Sequence, residues 1–207
     1  MKKELTIGGI ISYSIVNGLK NAISIFGAFI LWVLTIWIPY INVGTTICLF
    51  SALPIALSKG EMISPAEIFK AKYRNFMGEY FILSGLKGMG IYLGLLFMFF
   101  PGIVLAYAWS LSSLLLIDKE INPAEALSLS NKLTKGNKWT MFFGDILIML
   151  MFIIVIAIIG FIFMKISMIL NVIIVFLLFI ILISARLNSL GYVYKILTEE
   201  ETPTIID

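Results

Sequence analysis

Two ionisable side chains interrupt long apolar runs in this chain: Lys87 in FILSGLKGMGIYLGLLF and Asp145 in MFFGDILIMLMFIIVIAIIG. A charge near the middle of a membrane-crossing helix costs roughly 2.5–3.5 kcal/mol on insertion scales. The cost falls at shallower depth, and a lysine can snorkel toward the surface. Lys87 and Asp145 are opposite in sign, stand 58 positions apart, and lie about two helical turns inside their runs. Keeping both charges is simplest if they meet. Two chemistries follow: a buried ion pair that only holds helices together, or the lining of a polar cavity for a proton or substrate path. Ser110, Ser112 and Ser113, with Ser184, Arg186 and Asn188, fall in the same half of neighbouring runs. They would complete such a pocket, although serines in apolar helices also bond their own backbone or tighten packing.

The elements that must carry these residues are set by composition. Hydrophobic residues make up 60% and charged residues 13% of the 207 positions, and mean hydropathy is +1.05. A soluble domain has about 45–50% apolar and about 25% charged residues. The chain therefore reads as an all-α integral membrane protein. It has no histidine and one cysteine, Cys48, in an apolar run, where it reads as a small buried side chain. An intrachain disulfide and a His/Cys metal site are excluded, and the commonest general base is missing. No Gly-rich phosphate loop and no carboxylate cluster within the runs is present. The reading is a protein that is not an enzyme, with no catalytic residues, metal or cofactor. A net charge of +3 is too small to suggest nucleic acid.

Met1-Lys2-Lys3 resembles the start of a secretory signal, but Gly8, Gly9, Ser12, Ser14, Asn17 and Lys20 break the apolar part that follows. Residues 6–20 are expected as an uncleaved, interfacial amphipathic helix. No charge occurs from Asn21 to Ser58. At about 20 residues per span, this run predicts two spans turning at Pro39-Tyr40-Ile41-Asn42-Val43-Gly44. A second hairpin is predicted at about 80–99 and 103–117, turning at Pro101-Gly102, and a third at about 140–162 and 170–190 with a loop around Lys165.

Polar connectors lead into these hairpins. Asn122-Pro123-Ala124-Glu125 carries an N-cap, a proline suited to the first helical position and a capping-box acid, and Gly136 supplies a stop. Ala126, Leu129 and Leu133 take one face, with Ser128, Asn131, Lys132 and Lys135 on the other. Ser64-Pro65-Ala66-Glu67 stands 58 residues earlier and predicts a helix over 64–77, with Phe69, Tyr73 and Phe76 on one face and Lys70 and Arg74 on another. Gly78 and Gly136, Ile63 and Ile121, and Gly44 and Gly102 keep the same spacing, and Thr6 offers a fainter third start. This is an internal repeat of about 58 residues, in units of about 6–63, 64–121 and 122–195. The expected domain is 1–197, with six spans as three hairpins, each preceded by a cytoplasmic amphipathic helix. An acidic cytoplasmic tail at 198–207 would fray.

Of 15 Lys and Arg residues, only Lys165 falls at a hairpin tip, and Lys87 lies within a span. By the positive-inside rule both termini and the connectors face the cytoplasm. Lys70, Arg74, Lys132, Lys135 and Lys138 then form basic faces that attract anionic headgroups of the inner leaflet, at about 1 kcal/mol per cation. Trp139 and Tyr80 suit interfacial anchors.

The run from Pro101 to Phe142 carries Pro101-Gly102, Trp109-Ser110, Ile117-Asp118, Pro123, Ala126-Leu127, Ser130, Lys135-Gly136 and Trp139. On these residues it resembles uncharacterised bacterial and archaeal multi-pass membrane families, themselves similar to the membrane domain fused to some glycerophosphodiester phosphodiesterases. The resemblance implies a six-span module and points toward lipids. It carries over neither the phosphodiesterase activity, whose catalytic domain is absent from this sequence, nor any site residue. Two functions are expected: a lipid-associated scaffold or accessory subunit of the cytoplasmic membrane, acting as a homo-oligomer or beside a larger membrane partner, or a small transporter or channel with a Lys87/Asp145 cavity.

Overall fold

The computed structural model describes residues 4–62, 64–97, 99–164 and 166–199. Among them the chain is helical, with no strand. The helices are α1 (Ile7–Leu34), α2 (Pro39–Ile47), α3 (Leu53–Ser58), α4 (Met77–Phe97), α5 (Phe99–Ala108), α6 (Ser112–Asp118), α7 (Pro123–Leu133), α8 (Lys138–Met164) and α9 (Met168–Glu199). Six stretches are long and apolar enough to cross a membrane: Ile7–Leu34, Pro39–Ser58, Ala71–Phe97, Phe99–Asp118, Lys138–Met164 and Met168–Glu199. Each is at least 20 residues, or about 30 Å at 1.5 Å per residue. The Lys165 loop and residues 200–207 of the acidic tail lie outside the described residues, as does Ile63 of the repeat. Thr198 and Glu199 belong to the end of α9.

The first expected amphipathic helix is not a separate element. Residues 6–20 form the first half of α1, capped by Thr6, whose Oγ1 accepts from Gly9 N at 3.1 Å. Ser14 and Asn17 there bond back along α1, and its small residues let α9 approach. A Cβ on Gly18 would meet Ala185 Cα at 2.8 Å, so only glycine allows this approach. Ser184 Oγ donates to Gly18 O at 2.7 Å and Asn21 Nδ2 to Asn188 Oδ1 at 3.2 Å. Small and polar residues in α1 thus serve helix contact.

The predicted turns shift by a few residues. The chain reverses at Thr35–Ile38, where Thr35 Oγ1 donates to Trp32 O at 2.7 Å and lies 2.9 Å from Thr45 Oγ1. Pro39 to Gly44 open α2, with the proline where its missing N–H costs nothing. Pro101-Gly102 likewise sits in the first turn of α5, which starts at Phe99 and packs back on α4. Gly94 and Gly102 touch there, a Cβ on Gly94 being 2.9 Å from Gly102 Cα.

Two of the six stretches are irregular in mid-span. Between α2 and α3, Cys48–Ala52 widens to a π-helix. Pro54 cannot donate to Phe50, and the ladder there adjusts, with Leu53 N bonding Cys48 O. Between α5 and α6 the helix opens at Trp109–Leu111, and α7 repairs it. Ser130 Oγ donates to Ala108 O at 2.7 Å and accepts from Leu111 N at 3.2 Å, while Thr134 Oγ1 reaches Ala108 O at 3.3 Å.

α7 forms as its sequence predicts. Asn122 Oδ1 accepts from Glu125 N at 2.9 Å, its Nδ2 reaches the Glu125 carboxylate at 3.2 Å, and Gly136 has φ +87°. Ala126, Ser130 and Leu133 are its buried face. Its expected counterpart differs. Residues 65–69 and 71–76 are two 3₁₀ turns broken at Lys70 (ψ 132°), and Ser64 makes no side-chain cap. Ile68 and Tyr73 are both buried. Five residues apart on one α-helix they would point about 140° away from each other, and the break at Lys70 lets both face inward.

Replacing Ser130 by alanine strands the Leu111 N–H in an apolar interior and leaves the Ala108 carbonyl only its longer bond from Thr134. A loss of about 1–2 kcal/mol is expected, read as a lowered unfolding midpoint in detergent, whereas Ser128→Ala on the exposed face should change nothing measurable.

Candidate functional site: a polar cavity between the spans

Asp145 projects from α8 one helical turn beyond Met141, and its partner is Arg186 of α9, not Lys87. Arg186 Nη1 lies 2.6 Å from Asp145 Oδ1. Nη1 makes no aligned hydrogen bond among the described residues, so the contact is one of charge. The other oxygen, Oδ2, accepts from Tyr107 Oη at 3.2 Å. Tyr107, on α5, is held by an edge-to-face contact with Phe142, ring centres 5.7 Å apart. Three helices therefore converge on one carboxylate.

The reason for this pairing is register. Asp145 stands 19 residues before the end of α8 at Met164, and Arg186 stands 18 after the start of α9 at Met168. Two packed helices joined at that reversal place both residues at the same depth. Lys87 and Asp145 match in depth too, but their spans are not consecutive.

Lys87 nevertheless lines the same cavity, of about 500 Å³, together with Tyr107, Ser110, Asp145, Arg186 and Ser189. Much of the remaining wall is apolar, including Ile10, Met141, Leu182 and Leu190. Among the described residues Lys87 has no ion-pair partner. The cavity thus holds two cations against one carboxylate. It is open on one side, since the Arg186 side chain keeps 40% exposure against 22% for Asp145.

The structure gathers part of the polar set expected from sequence. Ser110 is at the cavity, its Oγ bonded to Tyr107 O at 2.9 Å. Ser112 is buried and bonds back to Trp109 O at 2.7 Å, and Ser113 does not line the cavity. Asn188 and Ser184 face α1. Tyr107 and Ser189 were not singled out from the sequence. A hydroxyl at the depth of Asp145 was the available signal for Tyr107; Ser189 had none beyond its place next to Asn188.

The basic faces also divide. Lys70 pairs with Glu67 at 3.0 Å and Lys72 with the same carboxylate at 3.4 Å. The Lys70 hydrogen bond, the largest influence, holds the Glu67 carboxyl below its ordinary range. Arg74 is a packing residue. Its stem fills the space beside Gly44, where a Cβ would meet Arg74 Cγ at 2.6 Å, and its guanidinium lies 5.5 Å from the Tyr40 ring centre. Lys138 donates to Asn131 Oδ1 at 2.8 Å. Lys132 is exposed on α7, away from its docked face, and Lys135 is exposed in the turn that follows the helix.

A larger cavity, about 630 Å³, lies among Lys59, Glu67, Lys72, Tyr73 and Asp118. Lys59 meets Asp118 there at 3.1 Å, Tyr194 Oη donates to the same carboxylate at 2.6 Å, and Lys72 meets Glu67. Glu61 and Glu120 also line it and have no ion pair among the described residues, so its surplus charge is negative, whereas the smaller cavity has a surplus cation.

Six apolar helices of spanning length around a charged cavity define a multi-pass membrane protein. Beyond that class, comparison with protein-family models, curated proteins and solved structures finds no match.

The two cations predict opposite responses to neutralisation. Arg186→Gln leaves the Asp145 carboxylate without its counter-ion and should cost about 1–3 kcal/mol, below the roughly 3–5 of a fully buried pair because this one is partly open. Lys87→Gln removes a charge with no partner and should leave the unfolding midpoint unchanged or raised. Adding Asp145→Asn to Arg186→Gln should recover part of the loss. Thermal unfolding of the four proteins in one detergent checks all three expectations.

Proposed function

We propose that the protein is a non-enzymatic component of the cytoplasmic membrane that binds an anionic group in the cavity bounded by Lys87, Asp145 and Arg186. One observation carries the reading: Lys87 faces that cavity without a counter-ion among the described residues. A cation in a span is costly, and a bound anion is the natural compensation.

The basic connectors and the nearly uncharged hairpin tips support an orientation with both termini in the cytoplasm. In that orientation the cavity opens in the inner half of the bilayer. The 58-residue spacing supports descent from three helix-plus-hairpin units, and the resemblance to membrane modules associated with lipid-headgroup enzymes agrees with an anionic ligand. An assembly of several copies, or a larger membrane partner, would accommodate the small size of the bundle.

The binding reading is tested by melting the detergent-purified protein with glycerol 3-phosphate, oleate or phosphatidylglycerol, against glycerol, monoolein and phosphatidylcholine. At least one anion should raise the midpoint more than its uncharged or zwitterionic counterpart, and Lys87→Gln should abolish the difference. Equal effects of all six, or a difference indifferent to Lys87, would show that the cavity is not an anion site.

A second role, as a lipid-associated scaffold, is favoured by the exposed Lys132 of α7, away from its docked face, and the exposed Lys135 in the turn after it. At about 1 kcal/mol per cation, changing Lys132, Lys135 and Lys138 to Gln should lower the anionic share of the many lipids kept in native nanodiscs. An unchanged lipid composition removes this role.

A further inference from the structure

Resting on the anion-site reading, we propose that the occupant is an anionic phospholipid with a single phosphodiester charge, entering sideways from the bilayer with its headgroup at Lys87 and Arg186. Charge is the first argument. Two cations and one carboxylate leave a net +1, which one phosphodiester neutralises and a doubly charged phosphate monoester would overshoot. A phosphodiester also keeps that charge throughout the neutral range, and its non-bridging oxygens can accept from the Lys87 ammonium, the Arg186 guanidinium and the Ser189 hydroxyl that share the wall.

The shape of the cavity points the same way. Its charged groups are few, and Ile10, Met141, Leu182, Leu190 and Val193 form an apolar floor and side. A water-soluble anion would leave that surface bare, whereas the glyceryl and first methylene groups of a lipid would cover it. The volume of about 500 Å³ falls in the roughly 300–1,000 Å³ of small-molecule sites and cannot enclose two whole acyl chains. The remainder of the chains must lie outside, in the bilayer. Basic pockets between spans on the cytoplasmic side commonly hold lipid headgroups.

Native mass spectrometry of the full chain released from a non-ionic detergent tests the proposal. The probes are long-chain phosphatidylglycerol, dihexanoyl phosphatidylglycerol, glycerophosphoglycerol, oleate and phosphatidylcholine. Long-chain phosphatidylglycerol should be retained at least tenfold better than phosphatidylcholine and glycerophosphoglycerol, with the short-chain lipid between, and Lys87→Gln should weaken it roughly tenfold. Leu190→Trp, which narrows the apolar wall, should weaken the long-chain lipid and spare glycerophosphoglycerol. The chain-length series carries the test if that variant does not fold. Lys87-dependent binding of glycerophosphoglycerol as tight as the lipid would overturn the lipid and leave an anion site. Oleate above phosphatidylglycerol would replace phospholipid by fatty acid. No Lys87-dependent retention of any probe would remove the anion site itself.

Discussion

The interaction on which this bundle turns is the neutralisation of Asp145 inside apolar surroundings. A carboxylate between spans must be matched by a cation and by hydrogen-bond donors, since neither lipid nor apolar side chains can stand in for water. Arg186 supplies the charge and Tyr107 the hydrogen bond. That requirement fixes three helices against one another at a single depth. α9 in turn is held by α1, where Gly18 lets the backbones close and Ser184 and Asn188 tie them with hydrogen bonds. Arg186, on the same helix as those anchors, is thereby delivered to the cavity as a fixed point.

The same constraint governs the backbone. A helix that crosses lipid must satisfy its own N–H and C=O groups, and broken helices persist only where protein shelters the break. Here the interruption at Trp109–Leu111 is covered by Ser130 and Thr134. The amphipathic α7 is therefore structural on one face and surface on the other. The break also lies next to the cavity, since Ser110 belongs to the open turn and lines the wall. Irregular backbone and polar side chains are concentrated together.

Much of the framework was legible. Long apolar runs announced six helices of spanning length, and the cap at Asn122 and the stop at Gly136 appear where the residue types demand them. What misled was reading polarity as exposure. Ser14 and Asn17 suggest an interface, yet both bond backward along α1, and the neighbouring Gly18 and Asn21 meet α9. Prolines misled in a related way. Pro39 and Pro101 read as turns in the sequence, but each stands in the first turn of a helix, where a missing donor is harmless. The Lys87–Asp145 pairing failed for a third reason. Sequence spacing in a membrane bundle gives depth, whereas pairing needs depth and adjacency. The count of residues from the α8–α9 reversal supplied both for Arg186, and it could have been made from the sequence.

The choice of residues around the cavity then has a physical logic. Arginine, planar and permanently charged, suits a fixed partner for a carboxylate, whereas lysine is a compact charge on a flexible stem that can follow a mobile group. Without Asp145 the cavity would carry +2, and it would hold doubly charged anions strongly at a high cost when empty. With Asp145 the empty site has one cation already matched, and only Lys87 waits for a partner. On the proposed anion-binding reading, an incoming anion would meet an attraction set by a single unmatched charge. Asp145 would then compete with the occupant for the two cations, while its own pairing with Arg186 holds the helices together.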